Sequence, residues 1–121
     1  MYRKKIVLHR IDGPALVHDP KKEYNNFTQK EWWINGERHR LNKPAYSFHH
    51  YSKNYEINIW YRKGKLYRLD GPAFESYDKM FTDYFINDKK LNKKEVEGWI
   101  NNNNINLKTK EHQALFMLRF G

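Results

Sequence analysis

The stretch Leu66-Tyr67-Arg68-Leu69-Asp70-Gly71-Pro72-Ala73, LYRLDGPA, decides how the chain is read, because it is written three times. It stands as LHRIDGPA from Leu8 to Ala15 and as RHRLNKPA from Arg38 to Ala45. The surroundings repeat as well: WWINGERHRL spans Trp32 to Leu41, WYRKGKLYRL spans Trp60 to Leu69, and YFINDKKLNK spans Tyr84 to Lys93. Gly36, Gly64 and Asp88 align at spacings of 28 and 24; His9, His39 and Tyr67 align at spacings of 30 and 28. The unit is therefore about 28 residues long, with an atypical copy at each end, as stacked repeats have.

Each unit reads as short strands joined by turns. Glu31-Trp32-Trp33-Ile34 is a strand, and Asn35-Gly36 is a strong hairpin signal, because both residues tolerate positive φ. A strand over Glu37 to Leu41 follows. The second turn is Leu41-Asn42-Lys43-Pro44 or Leu69-Asp70-Gly71-Pro72. There Asp or Asn bonds a downstream amide, Gly supplies positive φ, and Pro needs no donor. Ala45 to Phe48 and Ala73 to Ser76 resume as strands, the small Ala leaving room for neighbouring backbone. His18 to Phe27 reads as a polar loop, and Lys53-Asn54 as a further turn. The expectation is an antiparallel meander of eight or nine strands over residues 1–91.

From Leu91 the turn signals stop. Asn92 with Glu95 three residues later is a variant of the capping box, and Val96, Trp99 and Ile100 recur at helical spacing. Asn101 to Asn104 end that helix. Thr109 can cap a second, with Ala114, Leu115, Met117 and Leu118 as its apolar stripe; a strand over ALFMLRF is the alternative. The predicted fold is mainly β (α+β), a meander of repeated hairpins followed by one or two helices over 92–121. At 121 residues this is a single domain.

The repeated His-Arg-x-Asp-Gly-Pro-Ala, preceded by an aromatic-x-x-x-Gly strand, resembles the MORN-like repeats of phage, giant-virus and bacterial proteins. The resemblance covers about Leu8 to Leu91. It departs from the pattern at Asn42-Lys43 and at Tyr67. Asp83 to Lys94 looks like the usual end of such an array, where the second half becomes a helix start. The resemblance implies a β-hairpin repeat fold and little chemistry, since fold does not fix function.

Composition bounds the rest. Lys plus Arg number 23 against 14 acidic residues, giving a net charge of +9. That surplus favours anionic partners: a nucleotide, nucleic acid or an acidic protein surface. Sixteen lysines and thirteen asparagines are also what an AT-rich coding sequence yields, with no ligand involved. Cysteine is absent, which excludes disulfides and thiolate metal sites. No apolar run reaches the roughly 18 residues of a membrane span, and the start lacks a signal-peptide pattern. The expected location is the cytoplasm, a host's if the protein is viral, with no membrane association.

Arg10, Arg40 and Arg68 each stand two residues before Asp12, Asn42 or Asp70, on the same strand face. The expectation is a structural clamp of guanidinium on the turn carboxylate or the turn carbonyls. Arg40 faces Asn42 instead, so it is the arginine best placed to bind an anion. His9, His39 and Tyr67 are expected to pack as rings between units; a metal site would need His39, His49 and His50 to converge. In the pairs Trp32/Trp33, Trp60/Tyr61 and Tyr84/Phe85, one ring is expected to face the core and one outward. An outward ring flanked by Arg or Lys suits base stacking, or else lies under a second covering layer.

The candidate binding residues are Trp60 or Tyr61 for stacking, Arg40, Arg62, Lys63 and Lys65 for phosphates, and Trp32 and His39 beside them. No catalytic constellation or cofactor site is legible. The leading expectation is a small non-enzymatic binding protein, phage or viral, that sequesters an anionic nucleotide-type signal of host defence. Second is a protein-interaction module that inhibits a host or viral enzyme through an aromatic surface. Third is a metal-independent nuclease or phosphodiesterase built from His, Lys and Tyr. Nucleic acid and a homo-oligomeric partner stay open.

Overall fold

The computed structural model describes residues 8–11, 13–18, 27–51, 53, 55–76 and 81–121. Asp12, the loop over 19–26 and Asn54 of the expected turn lie outside the described residues. A large antiparallel sheet contains β1 (Leu16–His18), β2 (Phe27–Glu31), β5 (Tyr46–His50), β6 (Tyr55–Ile59), β9 (Phe74–Ser76) and β10 (Thr82–Asp83), in that spatial order. The chain also makes three two-stranded hairpins, two between strands of this sheet and one after β10. They are β3 (Trp33–Ile34) with β4 (Glu37–Arg38), β7 (Tyr61–Arg62) with β8 (Lys65–Leu66), and β11 (Phe85–Ile86) with β12 (Lys89–Lys90). Helices α1 (Lys93–Asn102) and α2 (Lys110–Phe120) follow. The protein is thus mainly β, an antiparallel meander with two C-terminal helices.

The strands are shorter and more numerous than expected. The single strand read over Glu31 to Ile34 is interrupted at Trp32, and the one over Glu37 to Leu41 stops at Arg38. The break is where the chain leaves the large sheet for the small hairpin. Its amide and carbonyl remain paired: the Trp32 N–H donates to the Ala45 carbonyl (2.8 Å), and the His39 N–H to the Trp32 carbonyl (3.0 Å). Trp60 repeats both bonds with Ala73 and Tyr67. Buried backbone groups need such partners, so the bend costs no unsatisfied donor. Ala45 and Ala73 are fully buried there, which explains a residue no larger than Ala after each Pro.

The three hairpin turns use positive φ at both central residues: Asn35 and Gly36, Lys63 and Gly64, Asn87 and Asp88. This fits the two-residue turn that matches strand twist. The glycines of the DGPA turn act differently from expectation. Gly13 and Gly71 are not at positive φ. A Cβ at Gly71 would come 3.0 Å from Arg68 Cζ, and one at Gly13 would come 2.9 Å from Arg10 Cζ. The glycine makes room for the guanidinium of its own unit. In the second unit Lys43 replaces it and the turn runs differently, with Asn42 at φ 63.

Successive units are stitched by recurring bonds. The amides of Arg10, Arg40 and Arg68 donate to the carbonyls of Trp33, Tyr61 and Phe85 in the next unit. His9 Nδ1 accepts from the Asn35 N–H (3.0 Å), and His39 Nδ1 from the Lys63 N–H (2.9 Å). Tyr67 has no such nitrogen; at that junction Asp88 Oδ1 accepts from the Leu66 N–H (2.7 Å).

The hydrophobic core lies at the C-terminal end of the array: Tyr84, Ile86, Leu91, Val96, Leu107, Phe116 and Phe120, with Tyr67, Leu69 and Trp99 packed against it. Asn92 caps α1 by accepting from the Glu95 N–H, and Thr109 caps α2 by accepting from the His112 N–H. The stripe expected on α2 is corrected. Phe116 and Phe120 face the core, while Ala114, Leu115 and Leu118 are exposed. Apolar residues surround this helix, so spacing alone did not select its buried face. No helix is long and apolar enough to cross a membrane, among the described residues.

Candidate functional site

The consecutive units leave a groove at each junction. The groove between the second and third units has a volume of about 220 Å3 and includes Arg40, Asn42, Trp60, Arg62, Tyr67 and Arg68 in its walls, with Gln113 of α2 at one side. The groove between the first and second units, about 610 Å3, is lined by Ile11, Trp32, Ile34, His39, Arg40 and Leu41, with Gly13 and Pro14 of the first turn. Arg40 belongs to both.

The two repeat arginines in these walls begin alike. Arg40 Cζ lies 3.8 Å from the centre of the Trp32 ring, and Arg68 Cζ 3.7 Å from that of Trp60. Arg40 Nη1 donates to the Pro44 carbonyl (3.2 Å) and Arg68 Nη1 to the Pro72 carbonyl (2.9 Å). There the likeness stops. Arg68 Nε also binds Asp70 Oδ1 at 2.7 Å, and its Nη1 binds Glu75 Oε1 at 2.8 Å. The matching positions in the second unit hold Asn42 and Ser47, which are neutral. Among the described residues Arg40 has no carboxylate partner, and burial lowers its pKa from the ordinary guanidinium value. The expected clamp is thus made on carboxylate and carbonyl at Arg68, and on the Pro44 carbonyl alone at Arg40.

Arg62 adds a second cation without a carboxylate partner among the described residues; its guanidinium lies 4.6 Å from the centre of the Tyr67 ring. Asp70 is the only carboxylate in the groove wall among the described residues. Burial raises its pKa, but the Arg68 hydrogen bond and the charges of Arg68 and Lys108 outweigh this and leave it lowered. Lys108 Nζ sits 3.4 Å from Asp70 Oδ2 and 3.1 Å from the Asp70 carbonyl. That negative charge is therefore neutralised twice, and the described residues of the groove wall carry a positive excess.

The structure brings together Arg40, Trp60 and Arg62 of the expected site and places Trp32 and His39 in the neighbouring groove. Tyr61, Lys63 and Lys65 are not in the walls of the second groove. Tyr61 faces Arg38 instead (5.3 Å from ring centre to Cζ), while Lys63 and Lys65 lie exposed on the β7–β8 hairpin. In the last pair Tyr84 is the ring that faces the core, as one ring of each pair was expected to. Trp32 and Trp60 each carry an arginine stacked on a face. No His, Asp and Glu cluster able to hold a metal ion occurs among the described residues.

One pairing escaped the sequence. Glu31, 3% exposed, is bound by Arg38 at 2.7 Å through Nη2 and 2.9 Å through Nε. Arg38 also lies near the rings of Trp33, Tyr46 and Tyr61. The same two slots hold Ile59 and Leu66 in the next unit, and Asp83 with Lys90 (3.9 Å) in the last. Aligning the copies reveals this exchange of an ion pair for an apolar pair; reading Arg38 alone does not.

Compared with families of known proteins, with curated proteins and with solved structures, the chain matches none.

Proposed function

We propose that the chain is a non-enzymatic binding protein that takes the anionic end of a nucleotide-type ligand in the groove between its second and third units. The observation that carries this is Arg40. It holds the pose of Arg68 without either of the carboxylates that complete Arg68. A phosphate would supply the missing acceptors through paired, charge-assisted hydrogen bonds. Arg62 would share the charge.

At about 220 Å3 the groove is smaller than the roughly 300–1,000 Å3 sites that enclose drug-sized ligands. It suits a phosphate or pyrophosphate, with the remainder of the ligand lying over the rim. Stacking on Trp60 contributes less than a bare ring would, because Arg68 covers a face. The basic charge and the resemblance to repeats of phage and viral proteins support a role in sequestering a host-defence nucleotide.

The test is calorimetric titration with linear and cyclic di- and trinucleotides and with nucleotides derived from NAD, at two salt concentrations. Heat that weakens with salt, and is lost in Arg40→Gln, is expected. Folded protein that gives no heat with any of them would sink the reading.

A further inference from the structure

Helix α2 buries Phe116 and Phe120 in the core and turns a second apolar side away from it. Leu118 is 83% exposed and Leu115 42%. With half-buried Trp99 and Ile105 they line one groove of about 560 Å3, bordered by His112 and Arg119. Every lining residue lies within 81–121, which is described without a break. Four large apolar side chains around one groove make a patch of the kind that marks an interaction site. The charges on this side of α2 are ordered as well. Glu111, Leu115 and Arg119 follow at four-residue spacing and form one row along the helix. Glu111 and Arg119 are about 12 Å apart along the axis, beyond the three- or four-residue reach of a helical ion pair. Neither makes an ion pair among the described residues.

We infer that this face is a two-fold interface with a second copy of the chain, α2 packing antiparallel on its mate across Leu115. The commonest helix packing lays the four-residue ridges of two helices alongside each other. A two-fold axis at Leu115 reverses one ridge against the other. Glu111 of each copy then meets Arg119 of the other, and Leu115 meets Leu115. Leu118 falls opposite His112 and enters the other copy's groove beside Ile105 and Trp99. The contact is isologous, one patch against itself, and closes two ion pairs that a single copy cannot make. Charge complementarity selects this occupant, because acidic before basic along one row is matched by the same row reversed. Net charge does not oppose it. Residues 92–121 hold five basic and three acidic side chains, so most of the +9 lies on residues 1–91. Salt screens exposed charges beyond about 8 Å. The face shares no lining residue with the anion groove, and either can hold without the other.

The test is sedimentation velocity on the full chain, without nucleotide, over a concentration series reaching millimolar protein. A monomer–dimer equilibrium is expected. Leu118→Ser, at an exposed position, should weaken it about a hundredfold, since each dimer loses two buried leucines. Glu111→Arg and Arg119→Glu, each checked for folding by circular dichroism, should weaken it about tenfold or more by facing like charges. Mixing these two variants should restore the dimer, because every pair across the axis is again opposite in sign. Charges that serve the helix dipole alone would shift the melting temperature of the variants and leave association as it was, which would overturn the inference. Arg40→Gln should leave the dimer intact and Leu118→Ser should leave nucleotide heats intact, so the two proposals fail separately. A monomer at every concentration, a dimer that Leu118→Ser does not weaken, or a mixture that stays monomeric would also overturn it.

Discussion

Replacing Glu31 and Arg38 by the residues that occupy the same slots one unit later, Ile59 and Leu66, separates what this buried ion pair contributes from what it costs. The Glu31 side chain is 5% exposed and the Arg38 side chain 35%. Arg38→Leu alone leaves a carboxylate with little water and one long contact, from Gln29 Nε2 at 3.4 Å. Breaking a buried pair in this way costs about 3–5 kcal/mol. Glu31→Ile alone leaves a cation that can turn to solvent, so about 1–2 kcal/mol is expected, near the value of a charged hydrogen bond. The double substitution removes both charges and their desolvation together. It should return to within about 1 kcal/mol of the parent, or exceed it. The coupling between the sites is then at least about 3 kcal/mol, well above the scatter of independent sites. Urea denaturation of the four proteins measures it. A cost under about 1 kcal/mol for Arg38→Leu, or a double variant less stable than Arg38→Leu, would refute the reasoning.

Three further outcomes follow from the repeat geometry. Arg68→Ala should destabilise by about 1–3 kcal/mol and Arg40→Ala by less, because only Arg68 holds carboxylates; thermal melts in the reverse order contradict this. Gly71→Ala forces a Cβ to 3.0 Å from Arg68 Cζ and should cost about 1–3 kcal/mol in urea titration, whereas Lys43→Gly should be close to neutral. Asp70 has a lowered pKa, so its contribution is complete above its unfolded value of about 3.9 and is lost as pH falls through the folded value. The melting-temperature gap between the parent and Asp70→Asn should therefore narrow from about pH 6 to about pH 3; a constant gap would mean the pair is not there.

The fold was legible where the backbone is governed locally. Asn35-Gly36 and its counterparts announced positive φ, and Asn92 and Thr109 announced helix starts, because caps and tight turns depend on a few adjacent residues. The interruptions at Trp32 and Trp60 were not legible. A strand bent between two sheets keeps the same residue preferences as a straight one. The buried face of α2 was hidden because Leu115 and Leu118 are as apolar as Phe116 and Phe120. Gly71 misled for a different reason: glycine serves both positive φ and close approach, and only the Arg68 guanidinium beside it distinguishes them. Of the candidate site, Arg40 was identifiable from Asn42 alone. Its second missing carboxylate, at Ser47, required the knowledge that Glu75 reaches Arg68 across seven residues.

The most direct test of the central claim supplies Arg40 with the acceptor that the second unit lacks. Ser47 occupies the place of Glu75, and each lies opposite Asn58 on β6. Ser47→Glu should therefore pair with Arg40 as Glu75 pairs with Arg68. Calorimetry with a cyclic dinucleotide and with inorganic pyrophosphate, alongside urea denaturation, reads both consequences. The account predicts a fold more stable by about 1 kcal/mol and an affinity lower by at least about tenfold, with the stability gain abolished when Arg40→Gln is added. An affinity unchanged by Ser47→Glu while the fold gains stability would show that the anion does not sit on Arg40, and would contradict the account.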